Sequence, residues 1–263
     1  MFGTHESYEK PLILMYHRIA GVSESERYNV SPAQFSKQMK YLAERNYHVI
    51  SLATLVDGIA GIRTISGRSV VLTFDDGFLD TYEHARPVLL DYQFPAMFFV
   101  ITDLVGKTNS WMITKGYPES RLMNWREVES LRHDGFEIGS HTATHRDLST
   151  INLSEAKKEV EDSKRILEAC LGIPVNFFAY PYGRGGDMAR QLVQDAGYRA
   201  ACATAPGFVT YSTDHYRLCR IEVTGWDSMG LFIRKLKFGF NSFSYFDLLR
   251  YYAGRIKART LGD

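Results

Sequence analysis

The sequence predicts a single α/β domain, a (β/α) barrel of about seven to eight parallel strands. Three observations point there. About eight short β-branched or aromatic runs alternate mostly with helical patterns, an order that implies parallel strands joined by right-handed crossovers. Candidate polar residues fall at or just past the C-terminal ends of the predicted strands, where parallel barrels build their sites. No repeat, low-complexity tract or linker interrupts the 263 residues, a length that one large domain or two small ones can fill.

Residues 11–17, PLILMYH, read as a first buried strand ending in His17, and a polar loop follows over 18–29. Ser31 and Pro32 open a helix as cap and first residue. Phe35, Met39, Leu42 and Ala43 then recur at helical spacing through Arg45. Residues 47–51 form a short strand and 53–59 a short helix. SVVLTF at 69–74 is an almost unbroken apolar run, a strand buried on both faces. It ends in Asp75, Asp76 and Gly77, the glycine being able to take the positive φ of a sharp exit. Residues 81–92 carry helical periodicity, with Pro87 as a kink or break, and 95–101 are the next strand.

A long loop spans 102–124, and loops of that length are usually functional or mobile. Residues 125–133 read as a helix ended by Gly135, and 136–140 as a strand delivering HTATH at 141–145. The clearest helix covers 154–171. Ser154 is its expected cap, acidic residues over 155–161 suit its N-terminus, and Ala156, Val160, Ile166 and Leu167 form its apolar stripe. Strands follow at 175–180, 198–204 and 216–223, with a helix at 187–196 between the first two.

The expected division is a barrel over 1–224 and a basic, aromatic helical extension over 225–263. From Gly225 onward there are seven Lys or Arg against three Asp, interleaved with Phe232, Phe238, Phe240, Phe243, Tyr245, Phe246, Tyr251 and Tyr252. Packing of those aromatics on the barrel is the preferred reading; peripheral contact with a membrane surface or an anionic partner is the alternative.

Net charge is +1 with 45% hydrophobic residues, so no overall field points to nucleic acid. Cys170, Cys202 and Cys219 are far apart with no C-x-x-C pair, which argues against a zinc knuckle or a disulfide framework and for buried free thiols in a reducing compartment. The N-terminus lacks the basic segment and apolar core of a secretory signal, and the longest apolar runs fall far short of the ~20 residues that span a bilayer. The expectation is a cytoplasmic protein, or an extracytoplasmic one if a leader has been trimmed.

Two adjacent carboxylates at the mouth of an apolar strand are costly unless a cation or a shared proton relieves them. A solvated turn or a helix N-cap is the other reading of Asp-Asp-Gly. His141 and His145 are four apart, so a helical turn there would place both rings on one face to grip one ion. Alone, that spacing equally suits surface or core histidines. Joined to the aspartates at another strand end, it becomes specific, because zinc and related ions favour imidazole plus carboxylate ligands with one position left open.

TFDDG at 73–77, followed about sixty residues later by EIGSHTATH at 137–145, resembles the metal-dependent polysaccharide deacetylases of carbohydrate esterase family 4. The likeness runs from about residue 11 to 223. It implies a distorted (β/α) barrel, a divalent metal (zinc first, cobalt or nickel as alternatives), and removal of acetyl groups from N-acetylated amino sugars or their polymers. It assigns Asp76, His141 and His145 to the metal and Asp75 to the general base. A carboxylate bound to the cation is held ionised, while its neighbour stays free to take a proton from the attacking water.

FAYPYG at 178–183 resembles the family's third motif, where the backbone N–H after the proline, here that of Tyr182, stabilises the oxyanion. Without the resemblance, a Pro-Gly turn with a packed tyrosine serves equally well. Two departures stand out. The arginine that usually orients the base is replaced by Ala179, and Arg220, inside an otherwise apolar run, is the candidate substitute, since a buried arginine needs an anionic partner. A surface-facing Arg220 is the alternative.

The C-terminal leucine-x-histidine motif is also missing. LMYH at 14–17 instead resembles the permuted branch typified by poly-N-acetylglucosamine deacetylases, which makes His17 the general acid, histidine being the side chain that exchanges protons near neutrality. A histidine that merely caps the strand is the other reading. Trp111, Trp125 and Met123 are candidates for a sugar-binding groove, with core packing the default for Trp125. His5, His48, His84, His133 and His215 have no such companions. A catalytically impaired carbohydrate-binding or scaffold barrel, and an O-acetyl esterase or small-amide deacetylase, are the alternative functions.

Overall fold

The structure is a computed structural model that describes residues 10–21, 27–65, 68–113 and 115–241. In chain order its elements are β1 (Leu12–Tyr16), β2 (Arg18–Ile19), β3 (Asn29–Val30), α1 (Pro32–Glu44), β4 (His48–Val49), α2 (Leu52–Ile59), β5 (Ser69–Phe74), α3 (Arg86–Asp91), β6 (Met97–Val100), α4 (Ser110–Ile113), α5 (Trp125–His133), β7 (Glu137–Ser140), α6 (Leu153–Leu171), β8 (Phe177–Ala179), α7 (Gly186–Asp195), β9 (Ala200–Cys202), β10 (Ile221–Glu222) and α8 (Met229–Phe238).

Seven parallel strands run in the order β10-β1-β5-β6-β7-β8-β9, with β4 added beside β5. The first strand therefore lies between the last strand and β5, with Leu14 opposite both Ile221 and Leu72. The path also bends back on itself. Leu218 N–H donates to Ala201 O and Ala203 N–H to Leu218 O, so the run 218–222 links β9 to β1 and gives the sheet its distorted-barrel form.

Side-chain alternation splits the apolar residues into two layers. Ile13, Val71, Met97, Phe99, Phe177, Ala179, Ala200, Cys202 and Leu218 share the inner cluster with Leu52, Leu55, Val56 and Ile59 of α2. Glu137, at the start of β7, fixes that helix by accepting from the N–H groups of Leu52 and Ala53 at 2.8 and 3.0 Å. Leu12, Leu14, Tyr16, Val70, Leu72, Phe74, Phe98 and Phe178 face outward instead. They pack with Phe35 and Met39 of α1, Leu131 of α5, Val160 and Leu167 of α6, Val193 of α7 and Phe232 of α8. Strand residues are thus buried on both faces, as parallel sheets require.

Ser31 caps α1 with Pro32 at its first position, as the sequence predicts. Three local expectations are corrected. The helical pattern over 81–92 is a wide π-type turn over Thr81–Ala85 followed by α3, because Pro87 has no N–H to continue an α-helix backwards. Helix α6 is capped by Asn152, not Ser154: Asn152 accepts from Glu155 N–H, and Glu155 reaches back to the cap in a capping box. The loop over 102–124 carries a short 3₁₀ turn and α4, and is pinned by bridges from Phe78 to Leu122 and from Thr108 to Arg121.

Helix α8 belongs to the outer layer through Phe232 and Leu236. Its Lys235 is 1% exposed and donates to Glu222 O at 2.7 Å and to the Asp227 carboxylate. Phe243, Tyr245, Phe246, Arg250, Tyr251, Tyr252, Arg255 and Lys257 lie outside the described residues. Among the described residues, no helix is long and apolar enough to cross a membrane.

Candidate active site

A cleft of about 450 Å³ opens at the C-terminal ends of the strands, lined among others by His17, Asp75, Asp76, His141, His145 and Tyr182. Strand β5 delivers the two aspartates. Asp75 N–H extends the ladder by donating to Tyr16 O at 3.0 Å, which leaves its side chain on the inward face used by Val71 and Thr73. The chain then turns sharply. Asp76 and Gly77 both take left-handed φ, 72° and 74°, so the Asp76 carboxylate leaves the strand in a different direction from that of Asp75. Glycine accepts that conformation freely, whereas Asp76 adopts it at some cost.

The turn at 141–145 is not helical, which corrects the condition attached to the histidine spacing. Thr142 and His145 have φ of 67° and 65°, and this left-handed loop, rather than a helix face, brings the rings together at 5.0 Å between centroids. Of the six described non-glycine residues with positive φ, four (Asp76, Thr142, His145 and Tyr182) belong to this site. Backbone strain is therefore concentrated where the side chains must converge.

Buried polar groups hold the loop. His145 N–H donates to Thr142 Oγ1 at 3.0 Å, and Thr144 donates to Glu159 on α6 through its N–H at 2.8 Å and through its hydroxyl. Ala143 N–H donates to Glu159 O. Sequence reasoning missed Glu159, which it counted among the helix's N-terminal charges; a lone carboxylate on the inner stripe of α6 was the available signal.

Asp76, His141 and His145 form a buried three-ligand cluster whose donor atoms lie within 4.8 Å of one another. The Nε2 atoms of His141 and His145 stand 3.3 and 3.2 Å from Asp76 Oδ1. His141 Nδ1 donates to Ala179 O at 2.8 Å, which turns the Nε2 lone pair toward the cluster. Asp76 Oδ1 is buried without a hydrogen-bond partner. An orphaned carboxylate oxygen facing two imidazole nitrogens is the donor set of a zinc-like divalent cation, and these residues fit one. Burial pushes the Asp76 carboxyl up, but the two imidazoles outweigh it and hold it well below the usual carboxylate range. The His141 value is raised because Asp76 and Asp75 overcome burial, whereas burial prevails at His145 and lowers it.

Arg220 points into the barrel, 0% exposed. Its Nη1 and Nη2 donate to Asp75 Oδ1 and Oδ2, both at 2.7 Å, a bidentate pair. Nε donates to Ala203 O at 2.9 Å and Nη1 to Thr73 Oγ1 at 3.2 Å. Burial alone would raise the Asp75 carboxyl, yet the Arg220 charge, with His141 and the hydrogen bonds, holds it below its ordinary value. Asp75 is thus ionised and fixed in orientation while Ala179, where an arginine was expected, packs in the inner core.

His17 lines the cleft with its ring 4.7 Å from that of Tyr28, and its buried Nδ1 has no hydrogen-bond partner. Tyr182 sits on the turn after β8 with φ 58°, and its ring lies 4.9 Å from His145. Gly183 follows at φ 67°, where a Cβ would meet Thr204 Oγ1 at 1.9 Å, so the Pro-Tyr-Gly order is set by space as well as by φ. Trp111 packs on His145 as well, ring to ring at 4.7 Å. Met123 is buried and Trp125 packs against the outer core. His48 pairs in β4 beside Ser69 and His215 opens a 3₁₀ turn, both outside the cleft. Arg27 and Glu222, an ion pair on the cleft wall, were not foreseen.

The polysaccharide deacetylase family model matches residues 63–201. The poly-beta-1,6-N-acetyl-D-glucosamine N-deacetylase of Staphylococcus epidermidis is 26% identical over 241 residues, covering 82% of this chain and 81% of that protein. Among solved structures, IcaB from Ammonifex degensii aligns with a TM-score of 0.76 at 25% identity, over 87% of this chain and 97% of that one. The Streptococcus pyogenes deacetylase PplD, solved in complex with acetate, aligns at 0.75 and 25% identity, over 86% and 98%. With a family match over more than half of its length, on a barrel whose strand ends carry this cluster, the chain belongs to the polysaccharide deacetylase family.

Proposed function

We propose that this enzyme hydrolyses the acetamide of N-acetylated amino-sugar polymers of the poly-β-1,6-N-acetylglucosamine class, releasing acetate and leaving a free amine. The observation that carries this reading is the Asp75–Arg220 pair, two hydrogen bonds of 2.7 Å, set beside the Asp76–His141–His145 cluster in one cleft. The substrate class is supported by the Staphylococcus epidermidis relative, which is named for that polymer.

Asp76, His141 and His145 would hold the divalent cation, with zinc the first candidate and cobalt or nickel the alternatives. Bound there, it supplies Lewis acidity for water and for the acetamide carbonyl. Asp75 accepts the proton of the attacking water at a carboxylate oxygen, Arg220 keeping that carboxylate ionised and aimed. The carbonyl oxygen gains negative charge as the C–O bond forms, and the Tyr182 backbone N–H is the donor assigned to it. His17 delivers a proton to the amine nitrogen as the C–N bond breaks, so water and amide become acetate and amine.

The binding-only alternative rests on Ala179 and on the missing C-terminal histidine; the Arg220–Asp75 pair and His17 on the cleft wall count against it. The test is acetate release from N-acetylated β-1,6-linked glucosamine oligomers by the full chain supplied with zinc, cobalt or nickel. Release with at least one metal is expected; glycan binding with no release under any of the three contradicts the proposal.

A further inference from the structure

Tyr182, Tyr211 and Trp226 are the exposed large aromatic side chains among the described residues. Tyr182 belongs to the cleft. Tyr211 follows Val209, whose N–H donates to Pro11 O ahead of β1, at the far end of the barrel. Trp226, 63% exposed, lies just past the C-terminal end of β10, on the cleft side, and no step of the proposed chemistry uses it.

The turn that carries Trp226 is tightly built. Thr224 donates to Asp227 through its N–H at 3.1 Å and its hydroxyl at 2.9 Å, and Asp227 N–H returns to Thr224 O at 3.1 Å. Asp227, 5% exposed, also receives Lys235, and its carbonyl receives the Gln34 side chain. Gly225 N–H donates to Arg27 O at 2.9 Å. Arg27, Tyr28 and Glu222 line the cleft wall, so Trp226 stands one residue beyond that wall on a fixed support. With Gly225 and Asp227 both anchored on either side of it, the indole is presented to solvent beside the cleft wall as a preformed flat apolar face.

We infer that Trp226 is a stacking platform for a pyranose unit of the substrate polymer, outside the reacting position and continuous with the cleft over Arg27 and Tyr28. This rests on the polymer reading of the function. A cleft of about 450 Å³ is the size of a small-molecule pocket, so a longer glycan has to leave it across the rim. The C–H face of a pyranose is flat and apolar, and an indole face matches it without demanding charge, which suits an uncharged acetylated sugar.

The experiment compares the metal-loaded full chain with Trp226→Ala and Trp226→Tyr on N-acetylated β-1,6 oligomers from dimer to hexamer. Acetate release is measured, together with calorimetric affinity for the hexamer. Trp226→Ala should raise KM and weaken hexamer binding about five- to tenfold, leave dimer kinetics and melting temperature unchanged, and be rescued by Trp226→Tyr. Equal hexamer affinity and KM in parent and Trp226→Ala overturn the inference. Should the parent release no acetate, the functional reading fails instead, and hexamer affinity alone decides the platform: a loss in Trp226→Ala supports it, while equal affinities or no binding overturn it.

Discussion

The two adjacent aspartates separate at the level of single dihedral angles. Asp75 still obeys the strand and projects inward to Arg220, whereas Asp76, at φ 72°, has left it and meets two imidazoles. Arg220 uses its fork on both Asp75 oxygens and spends Nε on Ala203 O, a geometry an ammonium cannot copy. Arg220→Lys should therefore lower kcat by roughly ten- to a hundredfold while bound metal stays at the parent level. Metal analysis beside acetate kinetics checks this, and parent kcat in that variant would remove Arg220 from the machinery. Apart from Arg220, found as a charge inside an apolar run, the residue types of this site were legible because they sit at or just past strand ends. The αL turns at Thr142 and His145 were not, since nothing in HTATH marks positive φ.

Among the elements, strands were easier to read than their caps. Residues 70–72 and 74 are apolar because both faces are covered, one by α2 and the barrel interior, the other by the outer helices. The cap of α6 moved from Ser154 to Asn152 because Glu155 completes a capping box only with the latter. The roles of Glu159 and Glu222 escaped notice for a different reason: a single charged residue in a helix or strand carries no sign of the partner it will find. Helix α8 illustrates the same point, since Lys235 reads as one of many basic residues yet is buried against Asp227 and Glu222 O. Lys235→Met should cost about 3 kcal/mol by leaving Asp227 buried and unpaired. Urea unfolding measures it, and a change under 1 kcal/mol would make the pair incidental.

At the scale of the whole molecule, the order β10-β1-β5 places the first and last strands side by side, which brings His17 from the chain's beginning to the cleft and Arg220, just ahead of β10, to the Asp75 carboxylate that lines it. That closure explains why the alternation of strands and helices sufficed to predict the barrel, while the pairing of distant ends rested on the resemblance. The residues proposed to hold the cation come from the end of β5 and the loop after β7, so a cation that binds only the folded barrel must stabilise it. At a hundredfold excess over Kd the gain is about 2.7 kcal/mol, a melting shift of roughly 5–10 °C for a chain of this size. Chelation should reverse it, and His141→Ala should abolish it; an equal shift in His141→Ala would move the metal elsewhere.

The division of labour between the aspartates is tested most directly by acetate release from metal-loaded Asp75→Asn on an N-acetylated β-1,6 glucosamine oligomer. With the proton acceptor gone and the cluster intact, kcat should fall by at least about a hundredfold at unchanged metal content. Turnover at the parent rate would contradict the account.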